Sequence, residues 1–491
     1  MLADSAFLGP HWLLTTKEAV WLYHEVALPL RKTGGIVDVH THLSLKQICE
    51  NQPFDNIWKA EVVDERYGNR DHYLVQLAAK FPPFSPALAY DASRPDYEKW
   101  MALSQVFPQL EGNHVHQWLH LDLRRVFSLY ELLSPETGEC VWEKTRKALE
   151  KEDMLPQALL RRMGGKLFCT TDDPLDDLPY HKMARAAIPD MVFLPTFRPD
   201  PYVNIFDVRW KENVKRLCTL TKEDTTLDGL VEALRKRHAY FAAMGARASD
   251  HGLLEPWGFE VSRARAEEIF IRAYEKGERF APRSPETRDF ISYMMHRFCE
   301  MNREYHMVTQ IHYGVLRNAN DYLYEHWGSD VGGDVTLDDV RVVEYLRPLL
   351  SRFFSGKSKE ESPLVLYAMN HALIHVHIAL ERVFPRVHTG FPWWFNDTPH
   401  LIEQALLEVA NSSLFTSMGG PVADGRKILS EGSRFEVFDR MICRVVGRLL
   451  AEGQVSRQGA IRMVEALMYR NGVHIFGLEE ILSQVRPQVK P

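Results

Sequence analysis

Short apolar runs that end in polar residues recur along this chain, and they constrain the fold more than any other feature. Eight such runs are separated by longer amphipathic stretches: 36–39, 167–170, 191–194, 246–249, 307–311, 364–369, 391–395 and 414–415. Strands that alternate with helices form parallel βαβ units. Eight units predict an α/β fold of the (β/α)8 TIM-barrel type, whose functional site lies at the carboxyl ends of the strands.

The stretch 45–166 contains no convincing barrel strand and is predicted to be a long, mostly helical insertion after strand 1. Helices are expected near 96–104 and 142–158 within it. Another helix is expected near the start of the chain, where Thr15 and Glu18 have the spacing of a capping box. The insertion is not expected to fold independently, so residues 1–491 are predicted to form one barrel domain.

The composition is that of a globular protein with no sign of a nucleic-acid or membrane role. Hydrophobic residues make up 45% of the chain, and a net charge of −7 gives no electrostatic reason to bind nucleic acid or an anionic membrane. The six cysteines form no C-x-x-C pair, which favours free thiols in a reducing compartment. No signal peptide or membrane-spanning run is visible, so a cytoplasmic location is expected.

The strongest local motif is the pair His40 and His42 at the end of the first apolar run. Residues i and i+2 of a strand point to the same side, so both imidazoles can bind one metal ion. A third ligand is expected from His312 or Asp424, each near the end of a predicted strand. Asp424 could also accept a proton, although Asp424-Gly425 is equally typical of a turn. Two histidines and one aspartate suit Zn²⁺, Mn²⁺, Fe²⁺ or Co²⁺ nearly alike.

Other histidines with ligand-like spacing are interpreted as packed or solvent-facing side chains. His114 and His116 follow no predicted strand, whereas His371, His375 and His377 lie in or beside the apolar run 372–380. Histidines in such settings are more often structural than ligating.

Four arginines follow or flank predicted strands: Arg198, Arg247, Arg317 and Arg426. A guanidinium group pairs with a carboxylate through two hydrogen bonds. One such arginine would more often be a surface or ion-pair residue. Several of them near one barrel mouth predict an anionic substrate.

Motifs spread over most of the chain match those of a known family in unbroken order. They lie at 13–19, 38–44, 54–56, 71–73, 120–125, 170–174, 198–200, 247–252, 310–314, 393–397 and 424–426. With these motifs the chain resembles the uronate isomerases, also called glucuronate isomerases, of the amidohydrolase superfamily.

This resemblance implies an activity, a cofactor and partners. The family interconverts D-glucuronate with D-fructuronate, and D-galacturonate with D-tagaturonate, by proton transfer through an ene-diol. The resemblance also implies that His40, His42 and Asp424 hold one divalent metal ion, with zinc expected. A small-molecule hexuronate is the implied substrate, and a homo-oligomer is the expected assembly.

The resemblance also implies roles for residues around the barrel mouth. His72 and Tyr73 would enter the mouth from the insertion, and Arg198 would bind the substrate carboxylate. Arg426 would lie beside Tyr73, whose pKa of about 10 must fall before it can act as the base. Asp424 would relay a proton between O1 and O2 of the sugar. Further pocket residues are Asp250, His251, His312, Arg317 and Trp394.

Two segments depart from the family pattern. After strand 6, the family often has Asn-Pro-Arg-Asp, but this chain has no arginine in 370–373. Around strand 8, the usual Thr-Asp-Ser-Arg-Ser becomes Ala-Asp-Gly-Arg-Lys at 423–427. These changes leave the reaction class in place but leave the preferred uronate open, with His371 as one substitute for the missing arginine.

Two alternatives remain at this point. A mononuclear metal-dependent hydrolase of the same superfamily would act on an amide, ester or lactone, and the lack of a lysine in 246–250 disfavours only its two-metal form. A non-catalytic barrel could serve as a sensor or scaffold. Retention of His40, His42, Tyr73, Asp424 and Arg426 argues against this second alternative.

Overall fold

The computed structural model describes residues 7–485, and seven parallel strands of that range form one sheet. The strands are β1 Ile36–Thr41, β2 Gly165–Asp172, β3 Val192–Phe197, β4 Ala248–Leu253, β5 Val308–Tyr313, β8 Leu364–Ala368 and β9 Val387–Thr389, with a two-stranded antiparallel ribbon, β6 Val315–Leu316 and β7 Val335–Thr336, in a loop. The sheet runs in the order β1-β2-β3-β4-β5-β8-β9. Strand order therefore follows chain order, as in a singly wound barrel.

Burial explains why the apolar runs became strands of this kind. Every residue of β1, β5 and β8 is buried. Strands of a parallel sheet are covered on both faces, so near-continuous apolar runs suit them better than alternating ones.

An irregular segment, residues 419–425, takes the place of the eighth strand. The backbone nitrogen of Gly419 donates to Thr389 O in β9 at 2.8 Å, and that of Asp424 donates to His40 O in β1 at 3.1 Å. The segment therefore joins the two edges of the sheet and completes the barrel. The predicted (β/α)8 fold is confirmed.

Two of the predicted strands were wrong in position. The seventh strand is β9, and the run 391–395 instead leads into a 3₁₀ turn, Trp394–Asn396. The run 414–415 lies in a turn. Pro421 lacks a backbone donor and Asp424 has a left-handed φ of 51°, so the closing segment cannot form a regular ladder.

Ten α-helices of the described range precede β2. They are α1 Lys17–Leu22, α2 Leu28–Gly34, α3 Leu45–Glu50, α4 Ile57–Glu61, α5 His72–Ala78, α6 Pro86–Tyr90, α7 Asp96–Val106, α8 His114–Phe127, α9 Gly138–Leu149 and α10 Pro156–Arg162. The helix expected at 142–158 is two helices, because Pro156 starts a new one. The cap of α1 is Thr16 rather than Thr15, and it accepts from the nitrogen of Ala19. Because β2 begins at Gly165, the helical stretch ends just before that residue.

The remaining α-helices cover the sheet or follow it. They are α11 Pro179–Ala187, α12 Asp200–Val203, α13 Trp210–Thr221, α14 Leu227–Ala243, α15 Arg263–Tyr274, α16 Pro285–Tyr305, α17 Asp321–Trp327, α18 Val342–Phe353, α19 Ile374–Val383, α20 Pro399–Ser412, α21 Ile428–Ala451, α22 Arg457–Glu465, α23 Asn471–Ile475 and α24 Glu479–Ser483. Further 3₁₀ turns are Phe107–Leu110, Glu152–Met154 and His371–Leu373, and π-helical turns are Tyr23–Ala27 and Ala466–Arg470. None of the helices within 7–485 is long and apolar enough to cross a membrane.

The long helix α21 connects the barrel to helices of the N-terminal region and of the insertion. It begins just after the closing segment and packs against α1, α8 and α20. At Gly447 a Cβ atom would lie 2.5 Å from Ala19 Cα, so α1 and α21 approach closely only because this residue is glycine. Residues 424–434 are thereby fixed at the mouth of the barrel.

Candidate active site

Three side chains at the mouth, His40, His42 and Asp424, form a group suited to one metal ion. We call this set the metal group. His40 and His42 come from β1, and Asp424 comes from the closing segment. One ligand atom of each lies within 4.8 Å of the others. His42 Nε2 is 3.0 Å and His40 Nε2 is 3.5 Å from Asp424 Oδ1.

The protonation states of this group fit a divalent cation. Burial lowers the pKa of His42 to about 3, so its imidazole is neutral. Burial opposes ionisation of Asp424, but His40 and His42 outweigh it and hold the pKa of this carboxyl well below its usual value. Both ring nitrogens of His40 are buried and make no hydrogen bond within the described chain. Neutral imidazoles and an ionised carboxylate are the forms that bind metal.

His312 lies beside this group rather than in it. Its Nδ1 is 3.0 Å from Asp250 Oδ1, and its Nε2 is 3.4 Å from Arg198 Nη2. The same Asp250 oxygen lies 3.8 Å from His40 Nδ1. Asp250 therefore connects the metal group to the arginine, with His312 as a hydrogen-bonding neighbour.

His251 points away from the mouth, because neighbouring residues of a strand face opposite sides. Its Nε2 lies 2.8 Å from Ser249 Oγ, and its ring packs on Phe298 of α16. The structure thus brings Asp250 into the mouth but not His251. Burial lowers the pKa of His371, and His400 lowers it as well, whereas Glu408 raises it.

Three of the four arginines meet at the mouth, and each already has a carboxylate partner. Arg198 lies 3.2 Å from Asp200 and 3.3 Å from Asp250. Arg426 lies 3.1 Å from Asp64 and 3.5 Å from Asp330.

Arg317 lies 2.7 Å from Asp334, and its guanidinium stacks 4.5 Å above the ring of Trp394. Trp394 therefore lies at the mouth together with Arg317. Arg247 precedes β4 and therefore lies at the opposite end of the barrel.

His72 and Tyr73 enter the mouth because they start α5. Asp71 caps this helix by accepting from the nitrogen of Leu74 at 3.0 Å. Both side chains line a cavity that also reaches the metal group. Its lining residues are Asp64, Asp71, His72, Tyr73, Asp424, Arg426, Lys427, Ser430 and Arg434.

The surroundings of Tyr73 differ from those expected. Its hydroxyl is buried and has no hydrogen-bond partner in the described part of the chain. Burial raises the pKa of Tyr73 well above its usual value, Asp397 raises it further, and Arg434 lowers it. Arg426 lines the same cavity as Tyr73, and its guanidinium carbon lies 5.3 Å from the ring centre of a second tyrosine, Tyr67.

Sequence reasoning missed several residues of this mouth. Arg434 lies in α21, donates to Asp397 Oδ2 at 3.0 Å, and stacks on Trp118 at 4.1 Å. The one sequence signal for Arg434 was that it follows Asp424 by ten residues. Asp64 and Tyr67 lie in the insertion, outside every recognised motif. His114, interpreted as structural, packs edge-on against Tyr73 with ring centres 5.8 Å apart.

Comparison with known proteins agrees with this architecture over nearly the whole chain. A family model described as glucuronate isomerase matches residues 5–476. The uronate isomerase of Thermotoga maritima is 40% identical over 464 residues, which cover 94% of this chain and 98% of that protein. The uronate isomerase of Bacillus subtilis is 32% identical and covers 98% of this chain and 99% of its own.

Solved structures show the same fold. The crystal structure of the Thermotoga maritima uronate isomerase superposes with a TM-score of 0.89 at 39% identity, covering 96% of this chain and 99% of that one. The glucuronate isomerase of Caulobacter crescentus gives a TM-score of 0.87 at 23% identity, covering 96% of each chain, and supports the fold alone. The family match and the full-length relatives together show that this chain belongs to the glucuronate isomerase family and is an isomerase.

Proposed function

We propose that this protein interconverts D-glucuronate with D-fructuronate, and D-galacturonate with D-tagaturonate, through an ene-diol intermediate. The observation that carries the proposal is the His40–His42–Asp424 group beside a cavity lined by His72, Tyr73 and Arg426. An aldose–ketose isomerase needs acid–base groups and a cationic site next to one another, and this cavity combines them.

The charge balance of the mouth supports a divalent cation, for which we propose zinc. The carboxylates that pair with three of its arginines outnumber those arginines: Asp64, Asp200, Asp250, Asp330 and Asp334 pair with Arg198, Arg317 and Arg426. An anionic sugar would be repelled by this set alone. A metal ion held by His40, His42 and Asp424 would supply Lewis-acid stabilisation of negative charge on the sugar oxygens.

The proton transfers are assigned to groups that have free hydrogen-bonding capacity. The hydroxyl of Tyr73 is buried and has no partner among residues 7–485, so it can meet the sugar directly. We assign it removal of the C2 proton and, after the phenol proton has exchanged with solvent, delivery of a proton to C1. Asp424 would move the hydroxyl proton between O1 and O2.

His72 stays neutral in this scheme. Burial and, to a smaller extent, Arg426 together lower its pKa to about 4. A neutral imidazole can bond a sugar hydroxyl without adding charge. Arg426 would stabilise the developing oxyanion.

We assign recognition of the substrate carboxylate to Arg198, with Arg317 and Trp394 as further substrate-contact residues. Arg198 shares its donors with Asp200 and Asp250, so the substrate would enter an existing ion-pair network. Asp250 would orient His312 and Arg198. The hydrolase alternative gains no support, because the relatives reported above carry isomerase names. A homo-oligomer in the cytoplasm remains part of this proposal by family resemblance.

The test is proton NMR of the purified protein in D₂O, with D-glucuronate and D-galacturonate supplied separately and Zn²⁺ present. Ketose formation with deuterium at C1 is the expected result, and the two rates rank the substrates. His40→Asn should abolish the reaction, whereas His375→Asn, at an exposed position on α19, should leave it unchanged. No ketose from either sugar would overturn the proposal.

A further inference from the structure

A short hairpin at residues 63–70 folds from the insertion over the barrel mouth; we call it the mouth hairpin. Val63 and Arg70 form an antiparallel bridge at its base. The backbone nitrogen of Asp64 donates to Asn69 O at 3.0 Å, and that of Gly68 donates to Asp64 O at 2.9 Å. The Asp64 carboxylate accepts from the backbone nitrogens of Arg66 and Tyr67 at 3.0 and 3.2 Å. These bonds define the conformation of the tip.

Side chains of the mouth hairpin contact three separate parts of the barrel. Arg66 donates to Asp172 Oδ1 at 3.0 Å and to the backbone oxygen of Thr171, both at the end of β2. Asp64 accepts from Arg426 at 3.1 Å. The tip is therefore fixed at the mouth by charged groups.

The third contact is made by Tyr67, whose hydroxyl lies 3.1 Å from His42 Nδ1. Its ring centre is 5.3 Å from the guanidinium carbon of Arg66 and 5.3 Å from that of Arg426. Tyr67 is nevertheless 45% exposed. A tyrosine that reaches a buried imidazole while remaining half exposed lies at the entrance of the site, between the metal group and solvent.

The hydrogen bonds of His42 leave the hydroxyl proton of Tyr67 without a protein acceptor. His42 Nε2 faces Asp424 and the metal group, so Nδ1 must carry the ring proton when a metal is bound. Nδ1 then donates toward Thr171 Oγ1, at 2.8 Å, and toward the Tyr67 oxygen. The tyrosine oxygen accepts in this arrangement, and His42 is its one hydrogen-bond partner within 7–485.

We infer that Tyr67 donates this hydroxyl proton in a hydrogen bond to an oxygen of the bound sugar acid and is a further substrate-contact residue. The inference rests on the proposed hexuronate isomerisation and extends it to a residue of the mouth hairpin. Tyr67 lies beside Arg426, which already lines the cavity, so one substrate can reach both side chains. The guanidiniums of Arg66 and Arg426 that flank the phenol already pair with Asp172 and Asp64, so Tyr67 would add a neutral hydrogen-bond donor beside them.

The test compares the wild type with Tyr67→Phe and with Tyr130→Phe as matched control. Tyr130 is 62% exposed and lies near Arg124, outside the mouth. KM and kcat for D-glucuronate and metal content per chain are measured for all three proteins. The loss of one hydrogen bond to the sugar predicts a rise in KM of about 2- to 10-fold for Tyr67→Phe. Its metal content should be unchanged, because Thr171 still accepts from His42.

The outcomes separate this inference from the proposed function. If the wild type converts D-glucuronate and Tyr67→Phe matches it in KM and kcat, the inference alone is overturned. Loss of metal from Tyr67→Phe would also overturn it, because Tyr67 would then act through His42. A wild type that converts neither sugar would overturn the proposed function and this inference together.

Discussion

The ammonium group of Lys427 lies 2.7 Å from Asp71 Oδ2, and it donates to the backbone oxygen of Glu61 at 2.7 Å as well. Asp71 uses its other oxygen to cap α5, the helix that begins with His72 and Tyr73. Lys427 follows Asp424 by three residues. This ion pair therefore connects the segment that closes the barrel to the helix that carries the proposed base.

Lys427→Met should destabilise the protein strongly. Burial opposes ionisation of Asp71, but Lys427 is the largest of the groups that outweigh it and hold the pKa of this carboxyl below its usual value. Both side chains are nearly buried, so removing the cation leaves an uncompensated charge. We expect the free energy of unfolding, measured in urea, to fall by about 3–5 kcal/mol.

Lys427→Arg should recover most of that loss, because a guanidinium can still reach Asp71. Lys46→Met is the matched control, since Lys46 pairs with Glu50 on the exposed surface, where an ion pair contributes at most about 1 kcal/mol. If Lys427→Met unfolds like the wild type, the pair does not stabilise the start of α5.

A buried pair of carboxyl groups, Glu61 and Asp122, should make stability fall with rising pH. Burial raises the pKa of Asp122 to about 7 and that of Glu61 well above its usual value. A group whose pKa is higher in the folded than in the unfolded state stabilises the fold below the unfolded value, near 4. That stabilisation is lost as pH rises through the folded value.

Asp122→Asn tests this pH dependence because an amide stays neutral and can still accept from Ser433. The thermal midpoint of the variant relative to the wild type should rise between about pH 4 and pH 7 and level off above that range. Glu152→Gln, at an exposed position, should run parallel to the wild type across that range. A constant difference between Asp122→Asn and the wild type would show that Asp122 is not titrating there.

The metal group was predictable from the sequence, for a local reason. His40 and His42 follow an apolar run, so the strand and its register indicate where both side chains point. The position after a predicted strand left the third ligand open between His312 and Asp424, and the family motif favoured Asp424. Its segment has no strand pattern, since the Gly419–Pro421 stretch and a left-handed residue replace the ladder.

The mouth hairpin could not be predicted, because its contacts are distant in sequence and follow no periodicity. Arg66 meets Asp172, a partner 106 positions away, and Arg426 meets Asp64 across 362 positions. Arg434 was hidden for a different reason. It occupies an ordinary helical position, and its role depends on Asp397, from the loop before α20, and on Trp118, from the insertion, which meet it only in the folded protein.

The metal stoichiometry should separate His312 from the three proposed ligands. After dialysis against metal-free buffer and measurement by elemental mass spectrometry, the wild type should hold about one ion per chain. His40→Asn should hold almost none, because it removes one of three ligands. His312→Asn should keep the ion, because the imidazole of His312 contacts Asp250 and Arg198 rather than the metal.

His312→Asn should still lose activity, because Asp250 and Arg198 would lose the neighbour that orients them. If this variant loses metal as completely as His40→Asn, His312 is a ligand. The histidine would then have to turn from Asp250 on metal binding.

Arg434 should set the pH at which Tyr73 can act as a base. Tyr73 is buried, and Asp397 opposes its ionisation, so Arg434 is the group that most lowers its pKa. Arg434→Met would raise the pKa of the phenol and move the rising limb of the rate profile to higher pH. On that limb the rate follows the fraction of phenolate, so kcat at pH 7 should fall at least severalfold and recover at higher pH.

The matched control is Arg448→Met, which lies on the same helix but pairs with Glu452 on the surface. Arg434→Lys should restore part of the rate, since a cation beside Asp397 still favours the phenolate. A merely structural role for Arg434 would lower the thermal midpoint and leave the pH profile in place. If the rising limb of the rate profile does not move in Arg434→Met, the positive charge that lowers the pKa of Tyr73 must come from the bound metal and substrate. Arg434 would then serve only to hold Asp397.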